Sequence, residues 1–210
     1  MSKAYQAVRD FEAALCEYTG SKYAVTTNSC TAALMLAVAW YMSLLPRSLW
    51  SYPEARPEIE IPLRTYVSVP QSIIHAGGKP TFRDENWLGS YQLSPLPVWD
   101  SARKFTSGMY KPGQYQCVSF HASKILGDTQ GGAILHDNDE ADAWFRRARF
   151  DGRTEGVAPK DDIFTQIGWH CYMSPDVAAR LLLKLSVLPK HNEPLPNDPY
   201  PDLSLAEVFK

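Results

Sequence analysis

Apolar positions follow a helical period in several stretches of the chain. In residues 3–19 they recur at spacings of three and four, which is typical of one face of an amphipathic helix, and Gly20 stands where such a helix commonly ends. Residues 32–45 are apolar almost throughout and predict a helix that is buried on every side. Further helices are predicted over residues 65–76, 139–149 and 176–188.

Short runs rich in β-branched, aromatic and other apolar residues stand between these helices. They predict strands over residues 23–27, 58–62, 79–84, 97–100, 116–120 and 132–137, whereas polar and turn-forming composition predicts loops over 46–57 and 86–97. Short strands that alternate with helices are typical of an α/β protein with three layers. We therefore expect one mainly parallel sheet of about six or seven strands, covered by helices on both faces.

Composition and charge narrow the class of protein. The chain has 210 residues, of which 45% are hydrophobic and 21% charged, and these ordinary values predict a folded domain. A balance of 21 basic and 23 acidic side chains argues against a nucleic-acid partner. No apolar stretch suits a bilayer span or a secretory signal. Four cysteines without a CxxC pair suit a reducing compartment, so we expect a cytoplasmic protein with no membrane partner and no metal site.

The residues that directly follow the predicted strands are the candidates for chemistry, because ligands of such sheets bind at the carboxyl ends of the strands. Residues 28–31 (Asn-Ser-Cys-Thr) combine side-chain hydroxyl groups with the free backbone amides of a helix start. This combination predicts a cradle for a phosphate group. The alternative is that Asn28 or Ser29 is an ordinary helix cap.

Two charged side chains follow other strands. Asp100 ends an apolar strand, where a carboxylate needs a cationic partner; the alternatives are a solvated loop residue and a helix cap. Lys124 comes shortly after residues 116–120 and is placed over the same sheet edge. A lysine whose pKa is lowered by partial burial acts as a nucleophile and a proton carrier, and the alternative is a surface lysine.

Five segments of the chain resemble, in the same order, segments of a known family: FEAALCEYTGSKYAVTTNSCTAALMLAV, IPLRTYVSVPQSIIHAGGKPTF, PVWDSARKF, CVSFHASKILGDTQGGAIL and GWHCYMSPDVAARLLLKL. They resemble the pyridoxal-phosphate-dependent nucleotide-sugar aminotransferases, the DegT-type branch of the fold-type I enzymes. The segments cover most of residues 10–188, so the resemblance implies the large domain of that fold.

The resemblance assigns a role to each candidate residue. Lys124 would form the internal aldimine with pyridoxal 5'-phosphate and later carry the proton, and Asp100 would pair with the pyridinium nitrogen. Tyr66 would stack on the cofactor ring, and its alternative is a core residue of the predicted helix. The resemblance also implies a phosphate site made by four residues with hydroxyl or thiol groups: Ser29, Cys30, Thr31 and Ser119.

Two residues depart from the family's pattern. Arg103 stands three residues after the aspartate, where the family has Gln or His in contact with the cofactor's phenolic oxygen. An arginine there would still stabilise the phenolate. His170 replaces an Asn in a loop that, in the family, reaches the cofactor phosphate of the neighbouring subunit. The alternative for His170 is a half-exposed packing residue.

The chain also lacks whole parts of the family's architecture. Between residues 81–87 and 97–100 the family has another helix and another strand, and without that strand its neighbours must pair directly or leave a slot in the sheet. The N-terminal arm and nearly all of the small domain have no counterpart. We therefore expect a minimised PLP-binding large domain over residues 1–188 and a Pro-rich tail over 189–210, a trimming that suits a compact, for example viral, genome.

The resemblance implies a homodimeric aminotransferase with its active site at the dimer interface. It would move an amino group from an amino acid, glutamate in the first instance, to a keto-sugar nucleotide. Related sugar dehydratases carry histidine in place of the lysine, so Lys124 favours transamination. Two alternatives are a PLP-binding protein that serves as an interaction module without turnover, and a PLP enzyme that acts on a simple amino acid.

Overall fold

The computed structural model describes residues 5–46 and 56–210, so most of the loop predicted over 46–57 lies outside the described residues. The helices are α1 (Gln6–Thr19), α2 (Cys30–Ser43), α3 (Ser68–His75), α4 (Asp139–Ala148) and α5 (Pro175–Ser186). The strands are β1 (Tyr23–Thr27), β2 (Glu58–Pro62), β3 (Lys79–Arg83), β4 (Tyr91–Leu93), β5 (Val98–Asp100), β6 (Tyr115–Ser119) and β7 (Gly132–His136). Each predicted element is present, with bounds shifted by a few residues, and β4 is additional.

The arrangement of the strands corrects the expected sheet. Five strands form one sheet in the order β1-β7-β6-β5-β4, and β2 and β3 form a separate parallel pair. Within the larger sheet the pair β5-β6 is parallel and the other three pairs are antiparallel. The prediction of one mainly parallel sheet was therefore wrong. A parallel pair needs a long crossover, usually a helix, and the links from β4 to β5 and from β6 to β7 contain turns only.

The strand β4 lies between β5 and β2, next to the strand where the resemblance predicts a slot in the sheet. It lies within residues 86–97, which the sequence predicts as a loop, and it pairs with β5 so that Tyr91 stands opposite Asp100. On its other side, Ser94 and Glu60 exchange two backbone hydrogen bonds of 2.7 and 3.0 Å, which connect it to β2. These bonds satisfy backbone groups that an open slot would leave unpaired.

Helices cover both faces of the five-stranded sheet, as a three-layer protein requires. α2 and α4 pack on one face, where the core includes Val25 and Ile134, and α3 packs on α2 and β3. α1 and α5 pack on the other face, where the core includes Ala24 and Leu135. Neighbouring residues of a strand point to opposite faces, so β1 and β7 contribute to both cores. Within the described ranges, no helix combines the length and hydrophobicity that crossing a bilayer requires.

A buried ion cluster ties α1 to β1 and α4. Glu12 of α1 is 4% exposed and accepts hydrogen bonds from the amide and hydroxyl of Thr26, at 2.9 and 2.8 Å. It also accepts from Arg149, which is 2% exposed, and from Arg146 at 2.8 Å. Burial favours a raised pKa for Glu12, but the two arginines and the Thr26 amide outweigh it and hold the pKa below its ordinary value.

We expect Glu12→Gln to lower the free energy of unfolding by about 3 kcal/mol, because it removes the closer counter-charge of the buried Arg149 and leaves only the 3.5 Å contact with Glu155. Urea denaturation at neutral pH measures this loss. Glu17→Gln is the matched control, because Glu17 is an exposed glutamate of the same helix. A loss of less than about 1 kcal/mol, the range of exposed ion pairs, would contradict a stabilising role for the cluster.

The pH dependence of stability gives this prediction a second readout. A carboxyl group with a lowered pKa in the folded state contributes stability that is complete above its unfolded pKa, about 4.3 for glutamate. That stability is lost as the pH falls through the folded pKa. The difference between wild type and Glu12→Gln should therefore shrink below about pH 4.

Candidate active site

A cavity of about 280 Å³ opens at one edge of the five-stranded sheet. β1, β5 and β6 point in the same direction, so the carboxyl ends of these three strands meet at this edge. The structure brings eight of the nine predicted site residues to the cavity wall: Ser29, Cys30, Thr31, Tyr66, Asp100, Arg103, Ser119 and Lys124. Among the described residues, no group of His, Cys, Asp or Glu forms a metal site.

The start of α2 presents free backbone amides to the cavity. Ser29 is the helix cap, because its hydroxyl accepts a hydrogen bond of 3.1 Å from the amide of Ala32. The amides of Cys30 and Thr31 have no acceptor within the helix, since the first turn of any helix leaves them unpaired. The cap and the phosphate cradle are therefore compatible interpretations, because capping uses only one amide of this turn.

A glycine allows β7 to approach this helix start. A Cβ atom on Gly132 would lie 2.5 Å from the backbone nitrogen of Cys30 and from the carbonyl carbon of Ser29. Gly132 stands opposite Ser119 in the β6-β7 pair. The close backbone contact therefore holds the Ser119 hydroxyl group beside the first turn of α2.

The start of α3 adds a residue that the sequence analysis missed. The hydroxyl groups of Thr31 and Ser68 are 2.8 Å apart, and both residues line the cavity. Ser68 belongs to a segment that resembles the family, and its position in the first turn of the helix predicted over residues 65–76 is the signal that would have identified it. Tyr66 precedes α3 and is 58% exposed, so its alternative as a core helix residue is wrong.

Asp100 is a buried carboxylate whose two oxygens are both held. It is 6% exposed; Oδ1 accepts from the Ala102 amide at 2.9 Å and Oδ2 accepts from the Tyr91 hydroxyl at 2.9 Å. The hydroxyl of Thr65 lies 2.5 Å from that of Tyr91. Burial raises the pKa of Asp100, and the hydrogen bonds and the Lys124 charge offset this only in part. Asp100 is therefore not a solvated loop residue, and a cationic partner would stabilise it.

Lys124 lies in the turn after β6 and is half-buried at the cavity wall. Its side-chain nitrogen has no hydrogen-bond or ion-pair partner within residues 5–46 and 56–210. Burial lowers the pKa of Lys124, the Arg103 charge lowers it further, and Asp100 opposes both. A larger neutral fraction at a given pH makes this nitrogen a better nucleophile than a surface lysine.

Arg103 is occupied by a segment that we call the strap, residues 189–200. Its Nη1 donates to Asp198 Oδ2 at 2.7 Å and to the Tyr200 hydroxyl at 3.2 Å, and its Nη2 donates to the carbonyl of Pro196. Its Nε is buried without a hydrogen-bond partner in the described chain. Asp198 and Tyr200 also line the cavity, so the strap forms one of its walls.

The strap packs against Trp87, a residue of the cavity wall that the sequence analysis also missed. The Tyr200 and Trp87 rings are nearly parallel, with centroids 6.4 Å apart, and Asn197 donates to the Trp87 carbonyl at 2.6 Å. Asp198 and Arg103 are 95 positions apart in the chain. No local pattern in the sequence links residues at such a distance, so only the tertiary structure identifies this wall.

His170 is the one predicted site residue that does not line the cavity. Its side chain is 71% exposed, and its Nδ1 lies 2.9 Å from Asp151 Oδ2. The structure therefore does not support the alternative of a half-exposed packing residue. Contact with the site of a second copy of the chain stays a prediction.

The DegT/DnrJ/EryC1/StrS aminotransferase family model matches residues 1–109. No curated protein matches the chain in a sequence comparison. Solved structures with a similar fold include Helicobacter pylori PseC, an aminotransferase involved in the biosynthesis of pseudoaminic acid, with 19% identity and a TM-score of 0.67 over 86% of this chain and 57% of that chain. The sugar aminotransferase CalS13 from Micromonospora echinospora has 18% identity and a TM-score of 0.66, over 87% of this chain and 61% of that chain.

NtdA from Bacillus subtilis, solved with bound cofactor PMP, has 18% identity and a TM-score of 0.65, over 87% of this chain and 48% of that chain. These identities establish a common fold and no more. The chain spans less than two thirds of the length of these structures. Because the family model matches more than half of its residues, the chain belongs to the DegT/DnrJ/EryC1/StrS aminotransferase family.

Proposed function

We propose that this chain is a pyridoxal-phosphate-dependent aminotransferase that moves an amino group from an amino acid, glutamate in the first instance, to a keto-sugar nucleotide. The observation that carries the proposal is the meeting of Lys124, Asp100 and the start of α2 in one cavity. Family membership and the PMP-bound NtdA structure support the same cofactor class.

The residues of the cavity fit pyridoxal 5'-phosphate at each of its polar groups. The free amides of α2, with Ser29, Cys30, Thr31 and Ser119, suit a phosphate. The buried carboxylate of Asp100 suits a cationic ring nitrogen, and the unpartnered Nε of Arg103 suits an anionic phenolic oxygen. Tyr66 lines the same cavity with an exposed ring, which suits stacking. When bound, the cofactor supplies an electron sink for the substrate carbon.

In this proposal Lys124 holds the cofactor covalently and carries the proton. Its lowered pKa increases the fraction of the neutral amine near neutral pH, and a neutral Nζ is able to attack a carbonyl carbon and to accept a proton. Its position after β6 keeps Nζ over the sheet edge, at the same cavity as Asp100. Lys124 would therefore act as base and then as acid without leaving the site.

Asp100 orients and charges the ring in this proposal. Its carboxylate is fixed by the amide of Ala102 and the hydroxyl of Tyr91, so it needs no reorganisation when a cation binds. Burial raises the pKa of Tyr91 well above its ordinary value, so Tyr91 remains a hydrogen-bond donor. Tyr91 is a positioning residue because it acts through Asp100.

We also propose that the active enzyme is a homodimer with its site at the interface. Val67 and Leu88 are 43% and 63% exposed, and they adjoin the cavity residues Tyr66 and Trp87. An apolar rim of this kind promotes association. The exposed His170 would then reach the cofactor phosphate of the partner subunit.

The proposed compartment is the cytoplasm. All four cysteines of the chain fall in described residues, and all four are free thiols. Two of them, Cys117 and Cys171, are buried. Free thiols suit a reducing compartment, so these four residues support the proposal.

A second candidate is a cofactor-binding protein with partial or no turnover. The observation that favours it is that the strap occupies the terminal nitrogens of Arg103, a residue predicted to contact the cofactor. On this view, residues 1–188 are a minimised large domain that serves as a binding or interaction module.

Visible absorption spectra of the purified protein with added pyridoxal phosphate test the leading proposal. Wild type should show a band above the free-cofactor background that Lys124→Ala lacks, because only a covalent bond to Nζ produces it. Lys111→Ala, which changes an exposed lysine, is the matched control. Glutamate should then bleach the wild-type band. A lysine-dependent band that is indifferent to every amino acid would support the binding protein, and no such band would contradict both.

Tyr91→Phe tests the orientation of Asp100. Loss of one hydrogen bond to a charged group should slow amino transfer about tenfold. Because that bond lowers the pKa of Asp100, its loss should also move the acidic limb of the pH–rate profile to higher pH. Tyr23→Phe is the control, since Tyr23 donates to Asp139, which does not line the cavity. An unchanged profile in Tyr91→Phe would show that Tyr91 does not act through Asp100.

Light scattering over a range of protein concentrations tests the dimer. We expect twice the mass of the single chain for wild type and a shift towards monomer for Leu88→Asp, which charges the rim of the cavity. Leu183→Asp is the matched control, because Leu183 is an equally exposed leucine on α5. A monomer at every concentration would exclude both the dimer and the role of His170.

A further inference from the structure

We propose that Arg103 is the binding site for a substrate carboxylate and that the strap's own carboxylate, Asp198, occupies this site until the substrate displaces it. The inference rests on the proposed function only for the identity of the substrate, an amino acid. The carboxylate site itself is argued from the contacts of Arg103.

Arg103 contacts Asp198 in the paired arrangement by which arginine binds a carboxylate ligand. Two terminal nitrogens face two oxygens: Nη1 lies 2.7 Å from Oδ2 and Nη2 lies 3.4 Å from Oδ1. Paired contacts of this kind match the geometry of a planar carboxylate. Arg103 is 8% exposed, and a buried guanidinium without an anion is costly. The site is therefore expected to hold one carboxylate at all times.

Asp198 is suited to leave when another carboxylate arrives. Its side chain is 63% exposed even though its partner is buried, so it would return to water at little cost. Arg103 holds the pKa of Asp198 below its ordinary value, so Asp198 is charged near neutral pH. An incoming carboxylate would replace it charge for charge and leave Arg103 neutralised throughout.

Besides the ion pair, Arg103 contacts the strap at the Pro196 carbonyl and the Tyr200 hydroxyl, and the Tyr200 ring lies against Trp87. The Leu195 amide donates to the Arg103 carbonyl at 2.9 Å, and Asn197 donates to the Trp87 carbonyl at 2.6 Å. The segment lacks helix and strand over residues 189–200 and is rich in proline. Displacement of Asp198 would therefore open the cavity wall without breaking a regular element.

The position of Arg103 fits an amino acid rather than a carboxylate alone. Arg103 and Lys124 line the same cavity, and the Arg103 charge is close enough to lower the pKa of Lys124. An α-amino acid carries its carboxylate next to the carbon that reacts. Binding of that carboxylate at Arg103 would hold the reacting carbon on the Lys124 side of the cavity. Arg103 would thus select the amino donor, and its Nε would stay free for the phenolic oxygen.

Calorimetric titration with succinate, a dicarboxylate without an amino group, tests the site on the full-length chain. The buffer contains inorganic phosphate at one fixed concentration for every variant, so that the cradle proposed at α2 and non-specific anion sites are treated alike throughout. Asp198→Asn should bind succinate about tenfold more tightly than wild type, because the internal competitor is gone. Glu193→Gln is the matched control, since Glu193 is a strap carboxylate that contacts only the exposed His191. It should bind succinate as wild type does.

Hydrogen exchange gives a second readout that reports on the strap. Succinate should speed exchange at the Leu195 amide of wild type, whereas succinamide, which has no charge, should have no effect. Arg103→Gln should bind no succinate. A thermal melt shows whether that variant folds. If it does not, the succinate affinities of Asp198→Asn and Glu193→Gln still test the proposal. Equal succinate affinity in wild type and Asp198→Asn, or binding retained by folded Arg103→Gln, would overturn the proposal.

The same variants separate this proposal from the proposed function. A Lys124-dependent cofactor band in a protein whose succinate binding ignores Asp198 and Arg103 would remove the carboxylate site and leave the aminotransferase. Succinate binding that depends on Asp198 and Arg103, in a protein without the cofactor band, would support the carboxylate site and contradict the aminotransferase. The chain would then carry an anion site without holding the cofactor.

Discussion

The contact between the backbone of Gly132 and the first residues of α2 is the constraint on which the site depends. A Cβ atom there would lie 2.5 Å from the Cys30 nitrogen, so only glycine lets β7 approach the helix start. Through this contact the end of β6, with Ser119, lies beside the free amides of α2. The close contact of the two backbones thus places Ser119 beside the start of α2, at the cavity that Lys124 also lines.

Two short segments, β4 and the strap, complete the surroundings of the site. Three residues of β4 lie between β2 and β5, and the same strand supplies Tyr91 to Asp100. The strap provides a cavity wall through Asp198 and Tyr200. Both segments contact a site residue, β4 at Asp100 and the strap at Arg103. They therefore contribute to the site as well as to the packing of the fold.

The sequence predicted most elements because their signals are local. The period of three and four predicted α1, and the Gly20 end is present with a φ of 82°. The sheet was predicted wrongly for a physical reason: strand direction depends on the connections. The apolar pattern within a strand does not show whether its neighbour in the sheet runs parallel or antiparallel, because that depends on how the connecting segment crosses the sheet. The three residues of β4 are too few to show any period.

The sequence by itself determined the family and eight of the residues at the cavity wall, because these residues follow strands or begin helices and such positions are visible in local patterns. Only the tertiary structure decided what surrounds them. Asp198 and Arg103 are 95 positions apart, and Tyr91 meets Asp100 only because β4 pairs antiparallel with β5. Contacts between distant segments depend on the register and direction of pairing, which the sum of many weak interactions across the whole fold determines.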